Sequence, residues 1–358
     1  MMNNQPLVNA LHPSVVDRLD PQFAAIYNEY QAPRLRADQV SYEEYNKDRA
    51  KYTISICPGP SPEVGDVKIF KVPVSDPEGE ILVQVFFPTE EAIVQGGLRS
   101  EDRKLPAHIN HHGGGFVIGN LKTDESWCRQ ICQSLGCIVI NVDYRLSPEY
   151  PHPIPLTDSW AALKWTFASA AKLAIDFSRV SVGGLSAGGQ LAAVLALLSR
   201  DDPSVPKLVL QILTVPVTDA RHIPLEGPSS QDDPYESHKT NEFAPFLPLH
   251  RICWFYRLWL GNDMDLRQKT TQDFKASPIL ASSHANLARA SIHVAEVDSI
   301  ASEGIAYHEK LKKAGNQSSL KIYEGCGHLF PAMDGELEKA KVYVKNTIID
   351  LREAYKLP

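Results

Sequence analysis

The stretch RVSVGGLSAGGQLAAVLALL at residues 179–198 decides how this chain folds. It places a short strand-like run before Ser186, an apolar helix-like run after it, and four glycines around the serine. Residues 184–188 match G-x-S-x-G between a strand and a helix, which is the context that a nucleophile elbow requires. Only very small residues fit two positions before and after a serine on such a strained turn. The alternative is a glycine-rich turn that contains an incidental serine.

Strands and helices alternate on both sides of this stretch. A period-two pattern and the turn signal at residues 76–79 predict a leading hairpin. Strands are predicted at 66–72, 81–87, 107–110, 137–144, 180–183, 208–213, 291–296 and 319–324, and helices near 123–134, 156–171, directly after Ser186, up to 313 and over about 335–355. Short apolar strands that alternate with helices predict a mostly parallel sheet with helices on both faces. The hairpin adds an antiparallel edge.

Residues 218–275 break this alternation. They form a long polar, proline-rich connection that leads into the aromatic run WFYRLWL at 254–260. A connection of this length inside a compact domain is usually functional or disordered, and the aromatic helix favours an inserted cap. We therefore predict an N-terminal part of the cap, a core in two parts and a cap insertion between them. The corresponding ranges are 1–55, 56–217 with 276–358, and 218–275.

Composition excludes several classes of protein. The chain has 358 residues, 43% of them hydrophobic, and a formal net charge of −7. An acidic balance disfavours nucleic acid and anionic membranes as partners. No apolar run approaches the roughly 20 residues of a membrane span, and the N-terminus carries no signal-type core, so a cytoplasmic location is expected. The cysteine spacing predicts reduced thiols, and we find no motif for a metal or a cofactor.

A serine nucleophile needs a base, a group that orients the base, and an oxyanion hole. The run HHGGGFVIG at 111–119 follows a predicted strand and is of the HGGG oxyanion type. His328 follows the last strand and is the candidate base. Asp298 stands at the carboxyl end of the preceding strand, where catalytic groups gather in open parallel sheets. Glu296 and Glu303 are nearby alternatives for the orienting role.

Five ordered blocks now carry a family resemblance. They are HGGGFVIG at 112–119, VDYRLSPEYPHP at 142–153, GLSAGG at 184–189, VDSIASEG at 297–304 and GCGHLF at 325–330. Together they resemble the hormone-sensitive-lipase branch of the α/β-hydrolase superfamily. The resemblance implies an α/β-hydrolase fold with an eight-stranded sheet, a helical cap, and cleavage of carboxylic esters through an acyl-enzyme. No cofactor is implied.

Matching positions assign roles to individual residues. The resemblance implies that Ser186 is the nucleophile, His328 the general base and then acid, and Asp298 the residue that orients the imidazole. The N–H groups of Gly114, Gly115 and Ala187 would bind the oxyanion, with Gly113 as a further candidate. The residues implied to support the oxyanion loop are His112, Tyr144, Arg145 and Glu149.

The chain departs from the family pattern beside the nucleophile and near the acid. Leu185 stands where relatives keep an aspartate, Ser299 and Ser302 replace Pro and Asp, and Glu296 replaces Gly. None of these positions is a triad residue, so the departures indicate a divergent subgroup. We expect Leu185 to pack into apolar surroundings behind the elbow rather than to face the substrate.

The aromatic and aliphatic residues near the cap are candidates for a substrate pocket, although packing of the cap onto its own core explains many of them equally. The candidates are Phe116, Leu185, Phe243, Phe246, Trp254, Phe255 and Leu329. An apolar, cap-covered cleft favours small to medium hydrophobic esters as substrates.

Three hypotheses about function stay open. The first is a serine carboxylesterase. The second is an acyltransferase, a lactone-forming cyclase or an amide hydrolase that uses the same triad. The third is a non-catalytic binding protein on the same fold. A homodimer formed through the last strand or the last helix is an alternative to a monomer.

Overall fold

An eight-stranded sheet forms the centre of the molecule. The computed structural model describes residues 7–53, 56–98 and 104–358. The strands are β1 (Asp66–Val74), β2 (Gly79–Phe87), β3 (Leu105–His111), β4 (Ile138–Asp143), β5 (Ile175–Leu185), β6 (Leu210–Thr214), β7 (Arg289–Ala295) and β8 (Ser318–Tyr323). Their order across the sheet is β1-β2-β4-β3-β5-β6-β7-β8. The hairpin β1–β2 and the pair β2–β4 are antiparallel, and every other pair is parallel. The predicted eight-stranded, mostly parallel sheet is therefore confirmed.

Thirteen α-helices surround the sheet in the described ranges. They are α1 (Pro13–Val16), α2 (Pro21–Tyr30), α3 (Tyr42–Lys47), α4 (Glu90–Gln95), α5 (Glu125–Leu135), α6 (Ile154–Ala168), α7 (Ala170–Leu173), α8 (Ala187–Asp201), α9 (Glu236–Thr240), α10 (Leu249–Leu260), α11 (Met264–Thr271), α12 (Ala301–Lys313) and α13 (Glu338–Ala354). Helices α6 and α8 contact each other, and α5 contacts α13, so the helices form two layers around the strands. None of the helices described is long and apolar enough to cross a membrane.

Burial explains why the central strands lack a period-two pattern. All residues of β3 and β6 are buried, because helices cover both of their faces. Helix α8 is buried along nearly its whole length and packs on β5 and β6. The hydrophobic run after Ser186 therefore lies in the core, and it fixes the carboxyl end of the central strand β5.

The cap helices α9, α10 and α11 lie between β6 and β7 in the chain, and the N-terminal helices pack against them. The ring of Tyr27 meets that of Phe246 edge-on at 4.8 Å, and Tyr45 meets Trp254 at 6.2 Å. Asp20 caps the N-terminus of helix α2, and its carboxylate accepts hydrogen bonds from two backbone N–H groups of the first turn. The N-terminal segment thus contacts the cap, while the division into domains stays a prediction.

Candidate active site

Ser186 sits on the sharp turn that joins β5 to α8. Its backbone angles are φ 58° and ψ −115°, a conformation that non-glycine residues rarely adopt. Its N–H donates to the carbonyl oxygen of Thr214 at 2.8 Å, which fixes the turn against β6. A Cβ atom at Gly188 would collide with the carbonyl oxygen of His111. The close approach of β3 therefore explains the glycine two positions after the serine.

Three glycines after β3 form a loop beside Ser186. Gly114 has φ 118°, and a Cβ atom there would collide with the backbone of Ile118. Within the described chain, the N–H groups of Gly114 and Gly115 donate no hydrogen bond to another protein group. Ala187 is the first residue of α8, where helix N–H groups also lack intrahelical partners. These N–H groups can together stabilise a developing negative charge.

His112 and Tyr144 fix the backbone of this loop through buried contacts. The Tyr144 hydroxyl donates to the carbonyl oxygen of His112 at 2.8 Å, and the two rings stack with centroids 4.3 Å apart. Burial lowers the pKa of His112 to about 4, so its ring is neutral near pH 7. Its Nδ1 donates to the carbonyl oxygen of Gly113 at 2.8 Å. Both side chains therefore contact the backbone of the oxyanion loop.

Arg145 and Glu149 lie elsewhere, and the expectation that they support the oxyanion loop is corrected by their contacts. Arg145 donates to both carboxylate oxygens of Asp158, at 2.9 and 2.7 Å. Glu149 is exposed and accepts hydrogen bonds from Tyr42 and Arg49 of the N-terminal segment. The side chain of Arg145 is thus engaged by the buried Asp158, and that of Glu149 by the N-terminal segment.

The backbone of the same turn does reach the loop. The N–H of Ser147 donates to the carbonyl oxygen of Phe116 at 2.8 Å. The ring of Phe116 stacks on Trp259 of α10 with centroids 4.1 Å apart. The turn after β4 and the cap therefore both hold the far end of the oxyanion loop.

Asp298 and His328 meet at the carboxyl ends of β7 and β8. The Nδ1 atom of His328 lies 2.7 Å from Oδ2 of Asp298, and both side chains are buried. The two alternatives for the orienting role are engaged elsewhere. Glu296 accepts a hydrogen bond from the N–H of Gly325, and Glu303 pairs with His238. Asp298 is thus the carboxylate that contacts the His328 ring.

Ser186 and His328 line one cavity with the three loop glycines. The cavity has a volume of about 170 Å³ and lies between the sheet edge, α10 and the N-terminal segment. No hydrogen bond joins the Ser186 hydroxyl to the His328 ring among the described residues. Such contacts are often long in unliganded enzymes and tighten when substrate binds.

Five of the predicted pocket residues line this cavity and two do not. The five are Phe116, Leu185, Phe246, Phe255 and Leu329. Phe243 is 42% exposed and stacks on His12 at 4.1 Å, and Trp254 packs against Tyr45. Successive residues on one helix face different sides, so Trp254 points into the cap while Phe255 points into the cavity.

The sequence supports two different expectations for Leu185, a place in the substrate pocket and a place behind the elbow. Leu185 is half-buried and lines the cavity that contains Ser186, so the expectation of a position behind the elbow is corrected. Its Cδ2 atom lies 2.6 Å from the place that a Cβ on Gly113 would occupy. Leu185 is the last residue of β5, so it reaches the sheet edge at which the cavity opens.

Some residues of the site carry no local sequence signal. Gln31, Tyr52 and Ile56 come from the N-terminal segment, and Tyr256 and Ile252 come from α10. The aromatic run of α10 pointed to its helix but not to the side that faces the cavity. The N-terminal residues reach the site only through tertiary packing, which local patterns do not reveal.

A buried charged cluster lies under the cap near the site. His238 of α9 contacts Asp233 at 2.7 Å and Glu303 of α12 at 3.1 Å. Glu303 also accepts hydrogen bonds from the N–H groups of Thr218 and Asp219, where the cap begins. No three or more of the described His, Cys, Asp and Glu side chains are grouped to hold a metal ion.

Comparisons with known proteins place the chain among α/β hydrolases. Residues 108–332 match a family model described as alpha/beta hydrolase fold, which is more than half of the chain. An AB hydrolase superfamily protein of Schizosaccharomyces pombe is 36% identical over 96% of this chain and 96% of its own length. Esterase LipI of Mycobacterium tuberculosis is 32% identical over 80% of this chain and 82% of its own length.

A solved structure extends the likeness to three dimensions. An alpha/beta hydrolase enzyme from the metagenome of Lake Arreo superposes with a TM-score of 0.80. It is 27% identical and covers 95% of this chain and 99% of its own. The chain therefore belongs to the α/β-hydrolase superfamily, among esterases of the hormone-sensitive-lipase type, and is an ester-hydrolysing serine hydrolase.

Proposed function

We propose that the protein cleaves small to medium hydrophobic carboxylic esters through an acyl-enzyme on Ser186. The observation that carries the proposal is the 2.7 Å contact between Asp298 and His328, with His328 facing the cavity that holds Ser186. A carboxylate at Nδ1 leaves Nε2 of the imidazole to accept a proton from the serine. Phe116, Phe246 and Phe255 make the cavity wall suited to apolar ester groups.

The first half-reaction forms the acyl-enzyme. The Ser186 oxygen attacks the ester carbonyl carbon while its proton moves to Nε2 of His328. The carbonyl oxygen becomes negative and accepts hydrogen bonds from the N–H groups of Gly114, Gly115 and Ala187. Collapse of this intermediate breaks the bond to the alcohol oxygen, and His328 gives that oxygen its proton.

The second half-reaction releases the acid. A water molecule attacks the acyl carbon and gives a proton to His328, and the same N–H groups hold the oxyanion again. The intermediate then expels the Ser186 oxygen, which takes the proton back. Asp298 stabilises the imidazolium in both halves without becoming protonated.

Ser186→Ala tests the proposal in hydrolysis of p-nitrophenyl acetate and butyrate. We expect kcat to fall by at least about 10⁴-fold, because removal of a serine nucleophile costs on the order of 10⁶ in a well-studied protease. Ser199→Ala is the matched control, because Ser199 lies on the same helix and donates to Pro206 instead. Full activity in Ser186→Ala would reject the proposal.

The nucleophilic reactivity of Ser186 can be tested directly. In the unmodified enzyme we expect a fluorophosphonate probe to add one label to Ser186, and none to Ser186→Ala. Product analysis with added alcohols and amines separates hydrolysis from acyl transfer, since hydrolysis gives only the free acid. A transferred acyl group as the main product would favour the acyltransferase alternative.

Assembly and location stay predictions. The edge strand β8 exposes Ile322, so pairing of two copies through this strand is a specific form of the expected homodimer. Sedimentation velocity of the purified protein measures it. The cytoplasmic location can be tested by fractionation of the source cells.

A further inference from the structure

A second cavity of about 450 Å³ adjoins the catalytic cavity. It lies at the carboxyl edge of the sheet, between the ends of β5 and β6, the start of α5, and the segments 56–61 and 331–334. Its wall includes neither Ser186 nor His328, and it contains no described residue of the cap. The function described above therefore makes no use of this space.

Leu185 stands between the two cavities. Five residues line both cavities, and they are Ile56, Thr123, Asp124, Leu185 and Ala332. Among these, Leu185 alone is next to the nucleophile in the chain, and its Cδ2 packs against Gly113 of the oxyanion loop. Its side chain is thus the part of the shared wall that a substrate bound at Ser186 would meet first.

The direction of the second cavity indicates which part of an ester points toward it. The alcohol oxygen must lie near His328, because that ring gives it a proton when the ester bond breaks. The acyl group then extends away from His328. The second cavity lies on the Leu185 side of the site and is not lined by His328, so it lies in the direction of the acyl chain.

The wall of the second cavity can accommodate an aliphatic chain. It carries apolar side chains from four separate segments, namely Ile56, Trp127, Ile212 and Pro331. Polar groups are present but already paired in part, since Asn110 donates to Asp124 at 3.2 Å. An acyl chain that entered would exchange water for these apolar contacts, which favours binding by roughly fourfold per buried methylene.

We propose that Leu185 sets the acyl-chain length of the ester by closing the catalytic cavity toward this second cavity. The inference rests on the proposed function of Ser186. The unmodified enzyme is then selective for short acyl chains, and shortening Leu185 joins the two cavities into one acyl subsite. Leu185 acts on specificity and takes no part in the bond changes.

The test compares p-nitrophenyl butyrate with p-nitrophenyl octanoate. In Leu185→Ala we expect the octanoate-to-butyrate ratio of kcat/KM to rise at least tenfold, which is well below the full gain of four methylenes. Ser126→Trp refills the second cavity from α5 without bordering the catalytic cavity. We expect it to leave the ratio of the unmodified enzyme unchanged and to reverse the rise in Leu185→Ala.

Further substrates and variants separate a change in acyl-chain selectivity from other effects. Hexyl acetate against ethyl acetate varies the alcohol, and this ratio should not respond to Leu185→Ala. Leu329→Ala enlarges the catalytic cavity from the His328 side and should not produce a rise that Ser126→Trp reverses. Leu185→Val, with a few-fold rise expected, replaces Leu185→Ala should the latter fail to fold, as judged by thermal unfolding.

Three results would overturn the inference: an unchanged octanoate-to-butyrate ratio, a rise that Ser126→Trp does not reverse, or an effect confined to the alcohol series. Loss of octanoate activity in Ser126→Trp alone would also overturn it, because the second cavity would then already be open. Failure of the proposed function is distinct, since it would appear as ester cleavage that survives Ser186→Ala.

Discussion

The Tyr144 hydroxyl links the end of β4 to the oxyanion loop through buried contacts with His112. It donates to the carbonyl oxygen of His112, and the neutral His112 ring in turn donates to Gly113. The peptide planes on both sides of Gly113 are therefore fixed by buried contacts. Because the N–H groups of the next two glycines must point at one atom, a small rotation of these planes would misalign them.

We predict that Tyr144→Phe lowers kcat roughly tenfold and changes KM for short esters little. The substitution leaves the buried carbonyl of His112 without its donor, which costs about 1–3 kcal/mol of stability. Steady-state kinetics and urea unfolding measure the two effects. Tyr307→Phe is the matched control, because the buried Tyr307 hydroxyl has no hydrogen-bond partner in the described chain. Equal loss of kcat in both variants would contradict a positioning role for Tyr144.

The positions of some site residues could be predicted from the sequence, and those of others could not. Ser186, Asp298 and His328 stand in motifs at strand ends, and parallel strands bring their carboxyl ends to one edge, so their proximity could be expected. The direction of the Leu185 side chain could not be expected from the sequence, because it depends on how the turn at Ser186 meets the oxyanion loop. Arg145 and Glu149 belong to a motif whose backbone, rather than these side chains, contacts the loop.

At the scale of elements, strand and helix positions followed from hydrophobic period and turn signals. The order β2-β4-β3-β5 across the sheet did not follow from these signals, because it results from pairing between distant segments. Strand β5 begins at Ile175, earlier than its apolar run suggests, and the short helix α4 carries too few residues for a periodic signal. The number of strands, eight, followed from the sequence patterns and agreed with the family resemblance.

Helices α9 and α12 are joined by the buried cluster of Asp233, His238 and Glu303. Burial by itself lowers the pKa of His238, but the hydrogen bonds and charges of Glu303 and Asp233 raise it above its usual value. Each ring nitrogen faces a carboxylate, so the protonated ring can donate to both. The cap is therefore attached to the core by a buried imidazole ring that contacts Asp233 on one side and Glu303 on the other.

We predict that His238→Gln destabilises the protein by about 3 kcal/mol near pH 6, because it removes one partner of a buried ion pair. A raised folded-state pKa gives stability that is full below the unfolded pKa of about 6.5 and is lost as pH rises through the folded value. The difference between the parent and His238→Gln should thus shrink between pH 6 and pH 9. Urea unfolding across this range measures it.

His308 of α12, the helix that carries Glu303, supplies the control. Burial lowers the pKa of His308, so the pH dependence of its contribution has the opposite sign. His308→Gln should therefore show no shrinking difference as pH rises. A pH-independent difference for His238→Gln would mean that the ring titrates alike in the folded and unfolded protein, so that the two carboxylates do not raise its pKa.

At the scale of the whole molecule, the N-terminal segment and the cap close over the site together. Asp38 lies between Arg36 of its own segment and Arg251 of α10, with contacts of 3.0 and 3.1 Å. Arg251 also donates to the carbonyl oxygen of Phe246, which lines the cavity. One buried carboxylate thus connects the described part of the N-terminal segment to the helix that covers the nucleophile.

The pKa of Asp38 reflects this position. Burial alone would raise it, but the hydrogen bond from His250 and the charges of Arg251 and Arg36 bring it well below its usual value. A depressed carboxylate pKa stabilises the fold above the unfolded pKa of about 3.9, and that stability is lost as pH falls through the folded value. The contact between segment and cap therefore weakens in acid.

We predict that Asp38→Asn lowers the free energy of unfolding by about 3 kcal/mol at pH 7, because Arg36 and Arg251 then lose their buried counter-charge. The loss of stability caused by Asp38→Asn should be smaller at pH 3.5, because the stabilising contribution of the Asp38 carboxylate in the parent protein has begun to decrease at that pH. The substitution should also raise KM for short esters, because Gln31 and Tyr52 of the same segment line the catalytic cavity. Urea unfolding at the two pH values and ester kinetics at pH 7 measure these effects.

Asp17→Asn is the control, because it changes an exposed carboxylate in the same segment. It should alter neither the free energy of unfolding nor KM. An equal loss of stability at both pH values for Asp38→Asn would show that the carboxylate charge is not what holds the cap.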